Sequence, residues 1–440
     1  MSRILVSATP APGHVNPLLL IAEHLGQRGH DVTFNSAEIF REKAQAAGLN
    51  FVPLQGIADF DYRLMDELFP ERATIEPGLP QLDYDLEFFF GARIPDQYEG
   101  MLRIIEEQEI DLVLVDLCFM GSFPLLLGTQ HRPPVITCGI LPYWLQRPGV
   151  SPFAGPDSSP EGMLRNVQHY RQFEEGLTGS TASVNRILKR YGAESPIGSM
   201  LDAACLLPDT FLEFTAEEFE YPIEDKPKNL QFVGPILPKV TTESEEPEWL
   251  KRIDGSRPVI FVTQGTIANY DFTQLVGPAI AALAEEDVEV IVTGGGVDVS
   301  VLPKAPNLHV ERYLPYHLVL PKTDIFLTNG GYNGVQQALS FGVPVIAGGA
   351  TEDKPFVCAR VAWSGTGINL QTGSPTSEQI RDAVRLVLSD PTYRERAREM
   401  AKNFARYDGL NSVVQVAEST IENSGWRKQA ALQSNDSVLA

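Results

Sequence analysis

Short apolar runs alternate along this chain with segments in which apolar residues recur every three or four positions. The first apolar run covers 4–8, and in the segment after it Leu18, Leu19, Ala22 and Leu25 fall on one stripe. Runs this short predict buried strands, and the stripe predicts a helix. Strands that alternate with helices form parallel sheets covered by helices on both faces, so the pattern predicts an α/β fold of doubly wound type.

The alternation occurs twice, once in each half of the chain. In the first half we predict strands at 4–8, 31–35, 51–54, 111–115, 134–138, 203–207 and 230–233, and helices at 16–27, 39–47, 101–107 and 183–191. In the second half we predict strands at 259–263, 288–292, 308–311, 325–327 and 343–346, and helices at 272–283, 380–388, 392–406 and 411–423. Residues 55–99 lose this rhythm, and 148–162 is predicted to be a loop.

The repeated pattern predicts two Rossmann-like domains. A stretch that combines prolines with an acidic run is typical of an exposed connection between domains. The predicted division is a first domain at 1–235, a linker at 236–250, a second domain at 251–407, a helix at 408–425 and a polar tail at 426–440. Two such domains place the carboxyl ends of their strands across a cleft, where open α/β sheets bind their ligands.

The charge of the chain narrows the choice of partners. Among 440 residues, 35 are lysine or arginine and 57 are aspartate or glutamate, which gives a formal net charge of −22. A surface this acidic repels nucleic acid and anionic membranes, so neither is expected as a partner. An anionic ligand binds such a protein only where a local site supplies hydrogen-bond donors.

The cysteines and the apolar runs of the sequence indicate in which cellular compartment the protein is expected. Cys118, Cys138, Cys205 and Cys358 are scattered and lack the spacing of a zinc site or a disulfide framework. The apolar run at the amino terminus is too short for a signal peptide, and nowhere do 18 apolar residues run together. We therefore expect a cytoplasmic protein without a transmembrane helix.

The richest candidate for chemistry is the glycine-rich stretch 328–339, between two predicted strands. Glycines allow a sharp turn there, so the following helix begins with its first N–H groups unbonded. Those donors and the positive end of the helix dipole can bind a phosphate. A turn that only joins strand to helix is the alternative, because short glycine motifs are common.

Two polar residues fall at strand ends in the first half. His14 lies in the loop after the first strand, and a histidine can take a proton from a hydroxyl at neutral pH. Asp116 ends the strand at 111–115 and can orient the His14 imidazole. Each residue alone is equally compatible with a capping role, and it is their position at one sheet edge that gives the pair weight.

Further candidates follow strands in the second half. Gly265 and Thr266 form a small turn that can offer donors to an oxyanion, and Asp353 with Lys354 follows a glycine-containing loop. The Asp59-Phe60-Asp61 and Asp83-Tyr84-Asp85 sequences resemble metal-binding DxD motifs, but acidic loops produce such matches by chance. We therefore predict no metal site.

Six motifs occur in the order and spacing of one known family. They cover 12–17, 262–266, 312–316, 328–338, 342–344 and 353–354. With them the chain resembles the inverting, nucleotide-sugar-dependent glycosyltransferases of the UDP-glucuronosyl/glucosyltransferase and macrolide glycosyltransferase type (family 1). These enzymes have the GT-B fold, in which two Rossmann-like domains face a cleft and a C-terminal helix crosses back to the first domain.

The resemblance implies a function and a set of site residues. His14 would be the base that deprotonates an acceptor hydroxyl, with Asp116 as its partner, and the sugar would be transferred with inversion to a small lipophilic acceptor. The implied donor-binding residues are Gly265, Thr266, Tyr313, Leu314, Tyr316, Asn329, Gly330, Gly331, Asn333, Gly334, Gln337, Asp353 and Lys354. The implied acceptor-binding residues are Phe88, Phe119, Tyr143 and Trp144. A UDP-sugar is the expected co-substrate, without a resident cofactor or metal, in a monomer or homodimer.

The chain departs from the family pattern at four positions. Asn329 stands where the family usually has histidine, Gln337 where it has glutamate, Tyr313 where it often has tryptophan, and Lys354 where it has glutamine. These differences leave the base and the sugar of the donor open. They also leave two alternative functions: a catalytically silent GT-B-like protein that binds or activates a partner, and a nucleotide-sugar epimerase.

Overall fold

The first half of the chain forms a parallel sheet of seven strands. The computed structural model describes residues 1–147, 149–238, 245–266, 269, 271–424 and 426. The strands of this sheet are β1 (Arg3–Ser7), β2 (Asp31–Ser36), β3 (Asn50–Pro53), β4 (Leu112–Asp116), β5 (Val135–Gly139), β8 (Thr210–Glu213) and β9 (Leu230–Phe232). Between β5 and β8, the short strands β6 (Val150–Ser151) and β7 (Gly155–Pro156) form a hairpin. The sheet order is β3-β2-β1-β4-β5-β8-β9, and the hairpin stands apart from it.

Helices cover both faces of this first sheet. They are α1 (Pro12–Gln27), α2 (Arg41–Ala46), α3 (Met65–Leu68), α4 (Leu79–Tyr84), α5 (Ile94–Gln108), α6 (Ser122–Leu127), α7 (Pro160–Gly176), α8 (Thr178–Arg190) and α9 (Met200–Leu206). Short 3₁₀ helices lie at Glu38–Phe40, Gly56–Ala58, Tyr62–Leu64, Pro70–Thr74, Gly91–Arg93 and Glu217–Phe219, and a π-helix at Asp85–Phe90. The segment at 55–99, where no strand–helix alternation was found, consists of short helical turns up to the start of α5 at Ile94. Turns this short carry no long apolar stripe.

The second half forms a parallel sheet of six strands. They are β10 (Val259–Thr263), β11 (Glu289–Thr293), β12 (Leu308–Glu311), β13 (Ile325–Thr328), β14 (Val345–Ala347) and β15 (Gly367–Asn369), in the order β12-β11-β10-β13-β14-β15. The helices are α10 (Glu248–Lys251), α11 (Val276–Leu283), α12 (Tyr316–Val319), α13 (Tyr332–Ser340), α14 (Lys354–Trp363), α15 (Ser377–Ser389), α16 (Pro391–Phe404) and α17 (Gly409–Ser424), with a 3₁₀ helix at Leu320–Lys322. In the described part of the chain, no helix has both the length and the apolar character needed to cross a membrane.

The fold confirms the predicted class, with one error in the first sheet. The apolar run 203–207 was predicted as a strand but belongs to α9, whose first turn is capped by the Ser199 hydroxyl accepting the Asp202 N–H. The strand that fills this place in the sheet is β8. A short apolar run does not by itself distinguish a buried strand from a buried helix, which is why the prediction was wrong. Part of the segment predicted as a loop at 148–162 is the β6–β7 hairpin and the start of α7.

The last helix returns to the first domain. Val413, Val414 and Ala417 on α17 are buried in one cluster with Leu18 and Ile21 of α1, on one face of the first sheet. The imidazole of His24 also contacts the Asn411 side chain, with Nε2 2.9 Å from Oδ1. The two halves are thus connected both through the linker and through this helix.

Packing of α17 on α1 gives a stability prediction. Val413→Ala should lower the free energy of unfolding by roughly 2 kcal/mol, because it removes two fully buried methyl groups and leaves a cavity. Thermal or urea unfolding measures this change. Gln415→Ala on the exposed side of α17 is the control and should leave stability unchanged. Equal effects of the two variants would contradict the packing described.

Candidate active site

The carboxyl ends of β1 and β4 bring His14 and Asp116 together. These two strands are neighbours in the first sheet, with Ser7 paired to Val115. His14 lies in the first turn of α1, which begins soon after β1, and Asp116 is the last residue of β4. The sheet topology therefore places both side chains at one edge.

His14 and Asp116 form a hydrogen-bonded dyad. His14 Nδ1 lies 2.9 Å from Asp116 Oδ1, and the side chains are 13% and 0% exposed. The carboxylate also accepts the Thr9 N–H (2.5 Å), the Thr9 hydroxyl (3.2 Å) and the Cys118 N–H (2.8 Å). These bonds hold the carboxylate in one orientation. A carboxylate beside Nδ1 favours the tautomer with the proton on Nδ1, so Nε2 is left as the basic nitrogen.

Three loops of the second domain leave its sheet side by side. Thr263, Thr328 and Ala347 are paired in register at the ends of β10, β13 and β14. The amide of Asn329 donates to the Gln264 carbonyl at 2.5 Å and so joins the first two of these loops. Main-chain donors of separate loops are thereby held together at one edge.

Glycine is required where these loops approach one another. Gly330 has φ +87°, and a Cβ there would lie 2.6 Å from Cys358 Sγ. A Cβ on Gly349 would lie 2.1 Å from the Asn329 carbonyl oxygen. After this turn the first helical bond of α13 is from Val335 N–H to the Gly331 carbonyl. The N–H groups of Tyr332, Asn333 and Gly334 precede that bond, and such groups at a helix start favour an anion.

Asp353 brings the second domain up to the dyad. Burial raises the pKa of the Asp353 carboxyl to about 6, against an opposing effect of its own main-chain hydrogen bond and the nearby charge of His14. Cys118, two residues after Asp116, also senses the charge of Asp353. The carboxyl of Asp353 is therefore close enough to the dyad to sense the charge of His14, although it belongs to the other half of the chain.

Lys354 is buried next to Asp353. Burial lowers its pKa to about 8, the Cys358 thiol opposes this effect, and Arg72 of the first domain adds to it. Lys354 forms a short contact with Glu352, whose φ of +57° is unusual for a residue with a side chain. A strained residue between a glycine loop and two buried charges is typical of a functional site.

The two domains are joined around this site by buried contacts. The Arg360 guanidinium of α14 binds both carboxylate oxygens of Glu220, at 2.8 and 2.7 Å, and both side chains are almost fully buried. Arg147 adds a contact to the same carboxylate at 3.0 Å. Phe356 of α14 stacks on Phe153 of the first domain, with ring centroids 5.7 Å apart. These contacts close the cleft along one side.

The predicted donor residues fall into two groups. Asn329, Gly330, Gly331, Asn333, Gly334, Gly265, Asp353 and Lys354 lie on the loops and helix starts described above. Thr266 is exposed, and the Tyr313 ring is 65% exposed. Leu314 lies in the core, and the Tyr316 ring packs against Phe261 and Phe326 with centroids 5.1 and 5.6 Å away. The Gln337 amide lies 3.5 Å from Asn333 Oδ1.

The four predicted acceptor residues do not come together. Phe119 is 1% exposed in the core under the first sheet, and Phe88 lies at the surface, 44% exposed. Tyr143 and Trp144 do line a common cavity of about 40 Å³, which Phe356 and Arg360 of the second domain complete. The Phe90 ring, which was not among the predicted acceptor residues, lies 6.4 Å from the His14 ring.

The polar groups that resemble metal ligands have other partners. Ligand atoms of His14, Asp116 and Cys118 lie within 4.8 Å of one another. Burial raises the pKa of the Cys118 thiol well above its ordinary value, and the other two side chains bind each other. In the DxD sequences, Asp61 pairs with Arg63 and Asp85 with Arg72.

Sequence reasoning missed several residues of the site. The buried amide of Asn269 donates to the carbonyls of Gly265 and Gly294, at 3.0 and 2.8 Å, and so holds two loops together. The Tyr332 hydroxyl donates to Glu213 of the first domain at 2.8 Å. Tyr332 lies within the glycine-rich motif, so the sequence offered a signal for it. Glu213 ends a strand that was not predicted, because the strand was assigned to 203–207 instead.

The two α/β domains, with a histidine–aspartate dyad at the strand ends of one sheet and a glycine-rich helix start at the strand ends of the other, fit the expected glycosyltransferase class. Comparison with known proteins agrees. Residues 278–419 match the model of the erythromycin biosynthesis protein CIII-like C-terminal domain. UDP-glucosyltransferase B1 of Starmerella bombicola is 36% identical over 95% of this chain and 97% of its own length. UDP-glycosyltransferase 2 of Phaeomoniella chlamydospora is 34% identical over 93% and 94%.

The architecture is shared with solved structures as well. The calicheamicin glycosyltransferase CalG4 superimposes with a TM-score of 0.70 at 21% identity, over 96% of this chain and 99% of that one. At this identity the likeness concerns the fold, which is GT-B. The protein described here belongs to the family 1 glycosyltransferases and is a glycosyltransferase. Binding roles of the individual residues remain predictions.

The buried Asp353 carboxyl gives a prediction on stability and pH. Its pKa is about 6 in the folded protein and is lower in the unfolded chain. Above about pH 6 the native state is therefore destabilised, because it buries a charged carboxylate that the unfolded chain exposes to water. Asp353→Asn should therefore raise the melting temperature at pH 8, by at least about 2 °C. The difference should vanish below about pH 4, where the carboxyl is protonated in both states.

Calorimetry at the two pH values measures this difference. Asp382→Asn on the exposed face of α15 is the control and should leave the melting temperature unchanged at both. A wild-type protein more stable than Asp353→Asn at pH 8 would contradict the described environment of Asp353.

Proposed function

We propose that this protein transfers a sugar from a UDP-sugar to a hydroxyl group of a small lipophilic acceptor, with inversion at the anomeric carbon. The observation that carries the proposal is the His14–Asp116 dyad, with Nδ1 2.9 Å from the carboxylate, facing Asp353 of the second domain. In this proposal His14 is the base, Asp116 orients it, and Asp353 is the acidic group near the sugar. These three side chains come from the strand ends and loops where the two sheets face each other.

His14 acts as the general base through Nε2. Asp116 stabilises the imidazolium that forms when the acceptor hydroxyl gives up its proton. The acceptor oxygen forms a bond to the anomeric carbon while the bond from that carbon to the diphosphate oxygen breaks. The proton moves to His14 and the electron pair leaves with UDP. Attack from the face opposite the diphosphate inverts the anomeric carbon, through an oxocarbenium-like transition state.

The second domain stabilises the leaving diphosphate. The unbonded N–H groups at the start of α13 and the helix dipole lie where its negative charge develops, which is the electrostatic form of catalysis. Lys354 lies beside Gly330 and adds a nearby cation. The choice of UDP is supported by the relatives from Starmerella bombicola and Phaeomoniella chlamydospora, which are a UDP-glucosyltransferase and a UDP-glycosyltransferase. No resident cofactor is required by this scheme.

The cavity at Tyr143 and Trp144 suits one end of the acceptor. Its volume of about 40 Å³ corresponds to a few water molecules, so a bulky acceptor must enter mainly through the cleft. Its walls are aromatic, but the Tyr143 hydroxyl, Trp144 Nε1 and Gln146 Oε1 are buried without a hydrogen-bond partner. Unpaired groups of this kind favour a flat ligand that carries hydroxyl or carbonyl groups.

The first test of this function is His14→Ala. Removal of the base should reduce transfer about 10²- to 10⁴-fold. UDP binding should persist, seen as stabilisation of about 2.7 kcal/mol at a hundred times Kd. His24→Ala, on the same helix but bonded to Asn411, is the control and should keep its activity. Unchanged turnover of His14→Ala, or a product that retains the donor's anomeric configuration by NMR, would refute this mechanism.

The second test is Lys354→Gln, which restores the residue usual in the family. If Lys354 contacts the sugar or the phosphates, this variant should change the order of preference among nucleotide sugars. A mass-spectrometric screen of donors against phenols, macrolides and sterols measures that order. Lys251→Gln, on the exposed side of α10, is the control. An identical donor profile would count against a donor contact, and sugar interconversion without acceptor would favour an epimerase.

A further inference from the structure

A buried hydrogen bond crosses the cleft between the two sheets. Glu213 is the last residue of β8 in the first sheet, and Tyr332 is the first residue of α13 in the second domain. The Tyr332 hydroxyl donates to Glu213 Oε1 at 2.8 Å. Glu213 is fully buried and Tyr332 is 4% exposed. The bond thus joins a strand end of one domain to a helix start of the other.

The two ends of this bond lie on the same elements as the groups proposed to carry the reaction. Asp116 pairs with Cys138, and Gly139 pairs with Glu213, so Glu213 and Asp116 are two strands apart on one edge. Two strand spacings amount to about 10 Å. Tyr332 directly follows Gly331, and its own N–H is one of the unbonded donors of the helix start. The bond therefore fixes the distance between the anion site and the dyad.

Glu213 is in an unfavourable environment for a structural residue. Its second oxygen, Oε2, is buried without a hydrogen-bond partner. Burial raises the pKa of Glu213 well above its ordinary value, Glu220 adds to this effect, and Tyr332 and Arg360 oppose it. Tyr143 and Cys205 also face this carboxyl. Burial therefore favours the protonated form of Glu213, and a buried unpaired polar atom calls for an explanation beyond folding.

We propose that Glu213 and Tyr332 are positioning residues for sugar transfer, which hold the start of α13 at a fixed distance from the His14–Asp116 dyad. The proposal rests on the function proposed above. Neither side chain is required to touch the substrate. Their bond keeps the leaving diphosphate and the acceptor base in the relative position that the displacement needs, and small displacements of reacting groups reduce rates steeply.

Tyr332→Phe removes the hydroxyl and leaves the ring in its core. We expect kcat to fall about tenfold or more, since one buried hydrogen bond is lost and the start of α13 is freed to shift relative to the dyad. The Kd for UDP should change less than about threefold, because the N–H donors of α13 are unaltered. Tyr98→Phe, a buried tyrosine in the core beneath the first sheet, is the control and should retain wild-type kcat.

Glu213→Gln distinguishes positioning from mere packing. Its amide oxygen can accept the same bond, so at pH 7 kcat should stay close to wild type. Burial raises the pKa of Glu213 in the wild type, so loss of its proton at high pH works against keeping this carboxyl buried between the domains. The kcat of the wild type should therefore fall on the alkaline side, whereas Glu213→Gln should lack this limb.

The outcomes separate this proposal from the proposed function. Hydrogen–deuterium exchange with UDP bound should be faster at the amides that begin α13 in Tyr332→Phe than in the wild type or His14→Ala. If His14→Ala keeps full activity, the function fails while this exchange result still supports positioning. Unchanged kcat and unchanged exchange for Tyr332→Phe would overturn the positioning role. If that variant does not fold, identical alkaline limbs of wild type and Glu213→Gln would overturn it.

Discussion

The buried ion pair between Arg360 and Glu220 is the interaction on which the arrangement of the two domains depends. Separation of the domains would remove a bidentate, fully desolvated contact between them. Breaking such a pair by removing one partner leaves an unpaired buried charge, which typically destabilises a protein by about 3–5 kcal/mol. Together with the stacked Phe356 and Phe153 rings it holds α14 against the first domain. Because Asp353 immediately precedes α14, the same contact sets the position of this carboxyl beside His14.

The rest of the site follows from two parallel sheets that face each other with the carboxyl ends of their strands. Parallel strands gather their following loops at one edge, so His14 and Asp116 meet on one sheet while three glycine loops meet on the other. The net charge of −22 opposes an anionic donor at long range. In the proposed function, helix N–H groups and Lys354 overcome that field locally, at a site buried between the domains.

The sequence was most informative where a motif fixes backbone geometry. The strand–helix alternation predicted both sheets, and the glycine-rich stretch predicted the start of α13. It was least informative where side chains from distant segments meet. Glu213 could not be found because an apolar run at 203–207 is equally compatible with a strand and a helix, and its partner Tyr332 lies 119 positions away. Aromatic residues were also ambiguous: Phe119 is core and Phe88 is surface, whereas Phe90 lies near the dyad.

A crystal structure of the protein with UDP tests most directly whether the two domains share one reaction centre. The account predicts the β-phosphate at the start of α13, within about 3 Å of the N–H groups of Asn333 and Gly334. It also predicts Nε2 of His14 facing the phosphate across a space large enough for a sugar ring. A diphosphate bound away from the glycine-rich turn, or a His14 imidazole directed away from it, would contradict the account.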